Sequence, residues 1–505
     1  MKQLENRPRL YVRDLKKWTK AVEAERAITD DLYVAAIEDG IILPLRFLED
    51  GPEYERRMAG GLVDAGGNFV AGHEVTPPPQ THAQSITTAY PLPEQIVQID
   101  ETVIFGGGRD DGRFGHFITE QLSRLWYAVQ HADQNLRVAF PSAGRPERSS
   151  RLAQWLTMMG LPPERIIWVD EATQFTRVIV PEQCVYLYGG IAHLEGMRLI
   201  YDAIRAAVEP AQVEKVYLTR SDMPQPLQMR EINESWLEDF FTARGYTVVA
   251  PETLSPDETV ALLAGAKEVA CTLGTVSHLL AFAPQGVKAT VIPRHSVLNR
   301  FAEIQFPICA LREANWSVVD CGLELMPCTH RSGVLYYANT PQWADYAEAE
   351  WRAEVPARPA EADVLAYLHA WLEMVAEIPA DEYERWTMTQ LPYWTLGDFA
   401  LRLAEVLEAP QVPEAARPAF EDHFGDARIL RRFDVGGSRL GDPAAARTAS
   451  HWMGYGMALA NRKCEKAEEE LDRVRRSVSL RLGHVLIAPI RLPLLALRLL
   501  TRRRR

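Results

Sequence analysis

Several motifs that identify common nucleotide-binding sites are missing from the sequence. No Gly-x-x-x-x-Gly-Lys-Ser/Thr run occurs, so a P-loop is unsupported. The glycine cluster that begins at Gly106 has Asp111 where a dinucleotide fingerprint needs its third glycine. There is also no Asp-x-Asp pair, the carboxylates that commonly hold a divalent ion on a sugar-nucleotide diphosphate. The sequence therefore favours a site with no metal and no cofactor, in which fixed cations and helix N-termini neutralise a bound diphosphate.

Cysteine is scarce, and an apolar leader is missing. Six cysteines in 505 residues form no Cys-x-x-Cys pair, which favours free or buried thiols over disulfides or zinc ligands. This usage is typical of a reducing compartment. Residues 1–10 are polar and carry charges of both signs, without the apolar core of a secretory signal. We therefore expect a protein that is not exported.

The overall composition is that of a folded protein, with 47% hydrophobic and 24% charged residues. A chain of 505 residues exceeds the usual size of one core and predicts two or three domains. The net charge is −13, yet residues 473–505 contain ten arginines and no acidic residue. An acidic body with a basic tail argues against a nucleic-acid-binding protein, which spreads positive charge over a folded face.

Beyond residue 95 short apolar runs alternate with amphipathic stretches, a rhythm typical of β-α-β units and parallel sheets. The predicted strands are 102–105, 136–140, 165–169, 215–220, 246–249, 268–271 and 287–292. The predicted helices are 116–131, 147–159, 231–244, 256–264 and a short one from about 276. The predicted domains are an N-terminal region and linker (1–95), two Rossmann-like domains (96–210 and 211–330), a helical accessory region (331–472) and a basic tail (473–505).

His116 and Glu120 follow the glycine-rich loop at the start of a predicted helix. Their spacing of four places both side chains on one helical face. A carboxylate beside an imidazole is a fair general-base arrangement, because each group can position the other. The alternative is that the pair only caps and solubilises the helix.

Two arginines flank a loop between a predicted strand and helix. Arg220 ends the strand at 215–220, and Arg230 precedes Glu231, Ile232, Asn233 and Glu234. Guanidinium groups near a helix N-terminus suit a diphosphate, because they bind phosphate oxygens through two N–H groups. The alternative is a surface ion pair with Glu231 or Glu234.

A third motif is the turn Leu273-Gly274-Thr275-Val276-Ser277-His278, which joins a strand to a helix. Gly274 would let a ligand approach the backbone, and Thr275, Ser277 and His278 offer hydroxyls and an imidazole to ribose, phosphate or sugar oxygens. The alternative is a structural turn with His278 in the core. Upstream, Ser255-Pro256-Asp257-Glu258 has the pattern of a capping box and predicts a helix that starts at 256.

The order of these motifs resembles glycosyltransferase family 61, of the capsular polysaccharide type, over residues of about 100–295. The matching positions are His116 with Glu120, Arg220, Arg230-Glu-Ile-Asn-Glu234, Pro251-Glu-Thr-Leu-Ser255 and Leu273-Gly-Thr275. The elements at 230–234 and 251–255 are the most specific, because the interval between them also fits. The clear departure is Leu273, where the family usually has His.

The resemblance implies an α/β fold of the GT-B type, in which two Rossmann-like domains face a cleft, here with a helical C-terminal extension. It implies a UDP-sugar donor, inversion at the anomeric carbon and no metal. Glu120 would be the catalytic base and His116 its partner. The implied donor-binding residues are Arg220, Arg230, Asn233, Glu234, Glu252, Ser255, Gly274, Thr275, Ser277 and His278.

The apolar stretch 485–500 is too short and too interrupted by arginine and proline to span a bilayer. Flanked by arginines, it predicts an anchor on an anionic membrane surface, or alternatively a tail that docks on a partner or on the acidic body. We expect a cytoplasmic bacterial transferase, peripheral to the inner face of the membrane, whose acceptor is a surface polysaccharide or lipid-linked glycan. A non-catalytic polysaccharide-assembly protein with the same fold is the alternative. A nucleotide-sugar epimerase is disfavoured by the missing glycine fingerprint.

Overall fold

The computed structural model divides into two compact units. The first comprises Met1–Gln225, Glu231–Glu324 and Leu335–Ala360, and the second comprises Pro226–Arg230, Leu325–Val334 and Glu361–Arg505. The structure describes these residues: 2–3, 6–24, 26–27, 31–48, 58–71, 86–107, 114–142, 150–186, 191–224, 229–294, 300–325 and 333–377. The predicted basic tail and residues 378–472 of the predicted helical region lie outside the described residues.

Strands and helices alternate through most of the described chain. The strands are β1 Lys2–Gln3, β2 Arg9–Tyr11, β3 Arg26–Ala27, β4 Val34–Glu38, β5 Ile41–Phe47, β6 Met58–Val63, β7 Ile86–Thr88, β8 Val97–Phe105, β9 Arg137–Pro141, β10 Ile166–Val169, β11 Thr173–Pro181, β12 Val185–Tyr186, β13 Ile191–Ala192, β14 Lys215–Leu218, β15 Met229–Ile232, β16 Thr247–Val249, β17 Glu268–Thr272, β18 Lys288–Ile292, β19 Asn315–Val319, β20 Gly322–Leu323 and β21 Gly333–Tyr337. The α-helices are α1 Leu15–Ala24, α2 Phe114–His116, α3 Trp126–Gln130, α4 Ser150–Met158, α5 Leu194–Ala206, α6 Glu234–Thr242, α7 Pro256–Gly265, α8 Thr275–His278, α9 Arg300–Leu311, α10 Pro341–Trp351 and α11 Glu361–Glu377.

A mixed sheet of eight strands forms one half of the first unit, in the order β10-β9-β8-β11-β5-β6-β7, with β4 also paired to β11. The strands β10, β9, β8 and β11 run parallel to one another. By contrast, β4 and β5 are antiparallel to β11. The N-terminal strands therefore extend a parallel sheet whose centre is β8, and two short sheets, β1-β3-β13-β12 and β15-β21-β20, complete the topology.

The second large sheet has six strands in the order β16-β14-β17-β18-β19-β2, and all neighbouring pairs are parallel. Each of its central strands β14, β17 and β18 begins with a half-buried charged residue and is buried from the second residue onward, as expected for a sheet with covered faces. The last strand, β2, comes from the N-terminus and pairs with β19 some three hundred residues later. Parallel neighbours place all their carboxyl ends at one edge, where ligands bind in such sheets.

One continuous core joins the two large sheets. It contains Ile104 and Val138 from the first sheet together with Val216 and Val269 from the second. Helices α4 and α5 supply the contact: the buried ring of Trp155 stacks on Phe282, with ring centroids 5.2 Å apart, and Tyr201 meets Phe282 edge-on. Buried aromatic pairs of this kind contribute heavily to packing energy.

The predicted strands are confirmed, and the capping box is present: Ser255 caps α7, which begins at Pro256. The predicted helix 116–131 differs. Here α2 is followed by a π-helical turn (Phe117–Gln121), a 3-10 turn (Leu122–Arg124) and then α3. The side chain of buried Arg124 donates to the carbonyl of Pro181 in β11, and the Ser123 hydroxyl donates to the carbonyl of Glu120, three residues earlier. The irregular segment is thus tied both to a distant strand and to its own preceding turn.

The region before residue 96, which the sequence sets apart, contributes strands to both large sheets: β2 to one and β4–β7 to the other. The sequence hides this role because these strands are short and lack the helical crossovers that mark parallel units. Beyond residue 330 the described chain contains the expected helices α10 and α11, but also the strand β21. None of the described helices combines the length and apolar character needed to cross a bilayer.

Candidate active site at the carboxyl edge of the parallel sheet

Three adjacent strands of the six-stranded sheet deliver functional residues to the same edge. Arg220 lies two residues beyond β14, Gly274 two beyond β17 and Arg294 two beyond β18. Since β14, β17 and β18 are parallel neighbours, the three residues emerge side by side. The edge thus carries two guanidinium groups around a glycine turn, a composition suited to an anionic ligand.

The two guanidinium groups share one carboxylate. Arg220 Nε lies 3.5 Å from one oxygen of Glu231, and Arg294 Nη2 forms an ion pair with the other. The side chains of both arginines are 15% exposed and that of Glu231 is 4% exposed. Burial lowers the pKa of Arg294 to about 10, and the nearby charge of Arg220 contributes to that lowering. Two cations therefore lie close together in a poorly hydrated place, bridged by an anion.

The turn between β17 and α8 has a conformation that requires glycine. Gly274 has φ 148°, a region that residues with a side chain rarely adopt. Its N–H donates to Ser277 Oγ at 3.2 Å, and the Ser277 hydroxyl donates back to the Gly274 carbonyl at 2.8 Å. A Cβ at Gly274 would lie 3.7 Å from Arg294 Nη1, so this backbone is next to the guanidinium. The predicted residue Ser277 thus shapes the turn from a buried position.

Glu234, the first residue of α6, is buried beneath Arg220. Its Oε1 accepts hydrogen bonds from the Tyr217 hydroxyl and from the Arg220 backbone N–H, both at 3.0 Å. Burial raises the pKa of Glu234 to about 7, although the two hydrogen bonds oppose the shift. Near neutral pH this carboxyl group is therefore partly protonated and carries less than a full negative charge. Through its hydrogen bond with the Arg220 N–H, Glu234 helps to fix the position of the Arg220 backbone.

The raised pKa of Glu234 predicts a pH-dependent stability. The folded protein keeps the proton up to about pH 7, whereas the unfolded chain releases it near the ordinary value of 4.5. The stabilisation is therefore complete below pH 4.5 and is lost as the pH rises through 7, by up to about 3 kcal/mol. Glu234→Gln should remove this loss in urea unfolding at pH 5.5 and 8.5. The exposed Glu348→Gln should follow the wild type, and an unchanged pH dependence in Glu234→Gln would contradict the assignment.

The candidate base segment packs directly on the glycine turn. A Cβ at Gly115 would lie only 2.6 Å from Thr275 Oγ1, so the backbone of α2 and the start of α8 are in contact. Five residues further on, Glu120 is 2% exposed within the π-helical turn. Single π-helical turns occur often at functional sites. The side chain of His116 lies outside the described part of the chain, and its backbone ends α2.

Four other residues that the sequence predicts to bind the donor differ in burial and in hydrogen-bond partners. Asn233 caps α6 in a left-handed conformation and donates from Nδ2 to the Tyr337 carbonyl at 2.7 Å. Ser255 bonds Glu258 within its capping box, and Glu252 is exposed in a 3-10 turn after β16. His278 is 2% exposed. Of these, Ser255 stabilises a helix start, whereas the Asn233 side chain ties the residue before α6 to the strand β21.

Arg230 lies in the second unit, on β15. Its Nη1 lies 3.4 Å from a carboxylate oxygen of Glu373 on α11, and the Arg230 side chain is 24% exposed. The sequence pairs Arg230 with Arg220 because both flank one loop. In the structure the ion-pair partner of each is a different glutamate, Glu373 for Arg230 and Glu231 for Arg220.

The sequence motifs do not include Arg294, and they give Glu231 only as an ion-pair partner at a helix start. In the structure Glu231 lies in the strand β15 and contacts both Arg220 and Arg294. A signal for Arg294 was present: Ile292-Pro293-Arg294 repeats the pattern of Leu218-Thr219-Arg220, a strand end followed by one residue and an arginine. The two patterns follow parallel strands of one sheet that are separated by a single strand, so both arginines emerge at the same edge, and this repeat is the signal for the second cation.

One comparison with known protein families matches the part of the chain that contains most of these residues. Residues 114–292 match the profile of a family described as Glycosyltransferase 61, a span that begins in α2 and ends with β18. It covers Glu120, Arg220 and the Gly274 turn. No curated protein matches the chain. Among the described residues, no group of three His, Cys, Asp or Glu side chains is arranged to hold a metal ion.

Proposed function

We propose that this glycosyltransferase transfers a sugar from a UDP-sugar, with inversion and without a metal. The match of residues 114–292 to the Glycosyltransferase 61 model supports this proposal. The proposed acceptor is a surface polysaccharide or a lipid-linked glycan. The two large sheets would be the two halves of a GT-B arrangement. The donor would lie at the carboxyl edge of the six-stranded sheet, with its diphosphate against Arg220 and the Gly274 turn. Arg230, which belongs to the second unit, stays a predicted donor-binding residue.

The contact between Gly115 and Thr275 is the observation that carries this proposal. It brings the backbone of the candidate base segment against the candidate donor turn, although the two are about 160 residues apart in sequence. A transferase needs its base and its leaving-group site on opposite sides of one anomeric carbon. Two segments in direct contact can provide both from a single small region.

The proposed reaction is a single displacement. The acceptor hydroxyl attacks the anomeric carbon while the bond from that carbon to the diphosphate oxygen breaks. Glu120, with His116 as its partner, takes the acceptor proton, and UDP leaves with the bonding electrons. Arginines then stabilise the charge that develops on UDP, and such fixed groups act most strongly where water is excluded. Burial of Glu231 and Arg294 supports a water-poor site at this edge, since both side chains are largely covered.

A UDP-release assay tests the proposal. The full chain is incubated with a panel of UDP-sugars, with and without crude glycolipid, in excess EDTA. We expect one donor to release UDP, faster when the acceptor is present, and the chelator to have no effect. Loss of all release in EDTA would contradict the metal-free site, and release from a different nucleotide-sugar would contradict the choice of UDP.

The residue Leu273 supports a second candidate function. The protein would then be a polysaccharide-assembly protein that keeps the transferase fold but catalyses no sugar transfer. Leu273 is 4% exposed and belongs to the continuous core, where it replaces the imidazole usual in the family. Its backbone N–H still donates to the Ile292 carbonyl at 2.7 Å, so the turn keeps its shape. In that case calorimetry would detect UDP binding, but no donor would release UDP with any acceptor.

The basic tail leads to a prediction about localisation. We propose that residues 473–505 attach the protein to the cytoplasmic face of an anionic membrane, through ten arginines and an apolar stretch. Deleting these residues should move the protein from the membrane pellet to the supernatant and leave UDP affinity unchanged. A matched full-length variant with the ten arginines changed to glutamine would separate charge from apolar burial. Equal sedimentation of the wild type and the deletion would contradict the anchor.

A further inference from the structure

We propose that Glu231 is a positioning residue that holds Arg220 and Arg294 side by side as a two-armed clamp for a diphosphate. The inference rests on the proposed function for the identity of the ligand, a nucleoside diphosphate, and goes beyond it by assigning Arg294 as the second arm. We call these three residues the Glu231 clamp.

The need for Glu231 follows from charge and burial. Two guanidinium groups whose side chains are each 15% exposed repel one another, and water does little to screen that repulsion in a partly buried place. Glu231 removes the repulsion by contacting Arg220 with one oxygen and Arg294 with the other. Removing the Glu231 carboxylate would leave the two partly buried guanidinium groups without their shared anion, and an uncompensated buried charge is energetically unfavourable. Both arginines stay aligned only while Glu231 is charged and in place.

The backbone fixes where the clamp points. Arg220 and Arg294 each follow a strand of the same parallel sheet, separated by β17, and Glu231 is held in β15 of a second sheet. The Gly274 turn after β17 lies between the arms, with its backbone beside Arg294. Since Gly274 has no side chain, a phosphate group can approach both guanidinium groups over this turn. The clamp is therefore anchored on two strands of one sheet, on either side of a turn that has no side chain at Gly274.

Tyr337 supplies an independent sign that a polar ligand is received here. Its side chain is fully buried, and in the described part of the chain its hydroxyl has no hydrogen-bond partner. Glu234, Arg294 and Arg220 all lie within electrostatic range of this hydroxyl. Buried hydroxyls are almost always hydrogen-bonded, so an unpaired one within range of the two arginines is explained by a ligand or water that completes the site.

Binding of three probes tests the clamp: inorganic pyrophosphate, UDP and uridine, measured by calorimetry on the full chain. We expect Arg294→Ala to weaken pyrophosphate and UDP at least ten-fold and to leave uridine unchanged, because only the phosphates contact the clamp. Arg294→Lys should recover part of the loss, since an ammonium keeps the charge but not the two-pronged geometry. Arg244→Ala, which removes a partly buried guanidinium that bonds Phe240, should leave all three affinities unchanged.

The role of Glu231 is tested with two variants, one that removes its negative charge and one that keeps it. Glu231→Gln should weaken pyrophosphate and UDP as Arg294→Ala does, and Glu231→Asp should recover most of the loss because it keeps the bridging charge. Melting temperatures of all variants report whether each variant still folds. A purely structural role of Glu231 would lower the affinity for uridine as much as the affinity for UDP, whereas misaligned arginines would lower only the affinities for UDP and pyrophosphate. Stronger pyrophosphate binding by Glu231→Gln would overturn the proposal and make Glu231 a competitor of the ligand.

The outcomes also separate the clamp from the proposed function. Pyrophosphate binding without UDP binding by the wild type would support the clamp and contradict the UDP-sugar donor. UDP binding that is unaffected by Arg294→Ala would support the donor and overturn the clamp. A wild type that binds neither probe would overturn the clamp as well.

Discussion

Glu120→Gln should lower kcat by roughly 10²-fold or more, the usual contribution of a positioned general base. The amide keeps the size of the side chain, which matters because Glu120 is 2% exposed in a tight π-helical turn. UDP affinity should be nearly unchanged, since the variant loses a proton acceptor and keeps every proposed donor contact. A drop in kcat with an unchanged Kd for UDP, measured by steady-state release and calorimetry, is the expected pair of results.

The control for this variant is the same chemical change at Glu195, an exposed residue in the first turn of α5. Glu195→Gln should retain full activity. If Glu120→Gln remains fully active, the base lies elsewhere. If it instead melts at a much lower temperature and loses UDP affinity, Glu120 is a structural carboxylate of the turn.

Arg230→Ala should reduce transition-state stabilisation by about 2 to 4 kcal/mol, the loss typical of one preorganised electrostatic contact. Both kcat and UDP affinity should fall, because the charge on the diphosphate increases as it leaves. Arg230→Lys should restore only part of the activity, since it keeps the charge and loses the fork of N–H groups. The measurement is kcat/KM for UDP release, with the Kd of UDP determined in parallel.

The ion pair between Arg230 and Glu373 provides the contrasting prediction. The Glu373 side chain is 54% exposed, and an ion pair of this kind contributes only about 0 to 1 kcal/mol. Glu373→Gln should therefore change activity little. If Arg230→Ala has an equally small effect, Arg230 serves only that ion pair, and the diphosphate is held by other residues.

Local patterns of the sequence predicted the elements that depend on near neighbours. The start of α7 at Pro256 follows from Ser255 and Glu258, which satisfy each other's backbone groups within one turn. The strands around β14, β17 and β18 follow from short apolar runs bounded by polar loops. By contrast, the irregular turn at Glu120 could not be predicted, because its hydrogen bonds reach Pro181 and Gln183, more than 50 residues away.

What the sequence by itself determined is the α/β alternation, the order of the motifs and the glycosyltransferase family they resemble, since these depend on residue type and spacing along the chain. The Arg220–Glu231 ion pair was one alternative that the sequence suggested, but only the tertiary structure brought Arg294 to the same carboxylate. Arg220, Glu231 and Arg294 come together because β14, β17 and β18 align in parallel and β15 pairs in another sheet. The contact of Gly115 with Thr275, and the pairing of β2 with β19, likewise join segments more than 150 residues apart. Spacing along the chain carries no record of such contacts, because burial of a shared core, rather than local conformational preference, selects them.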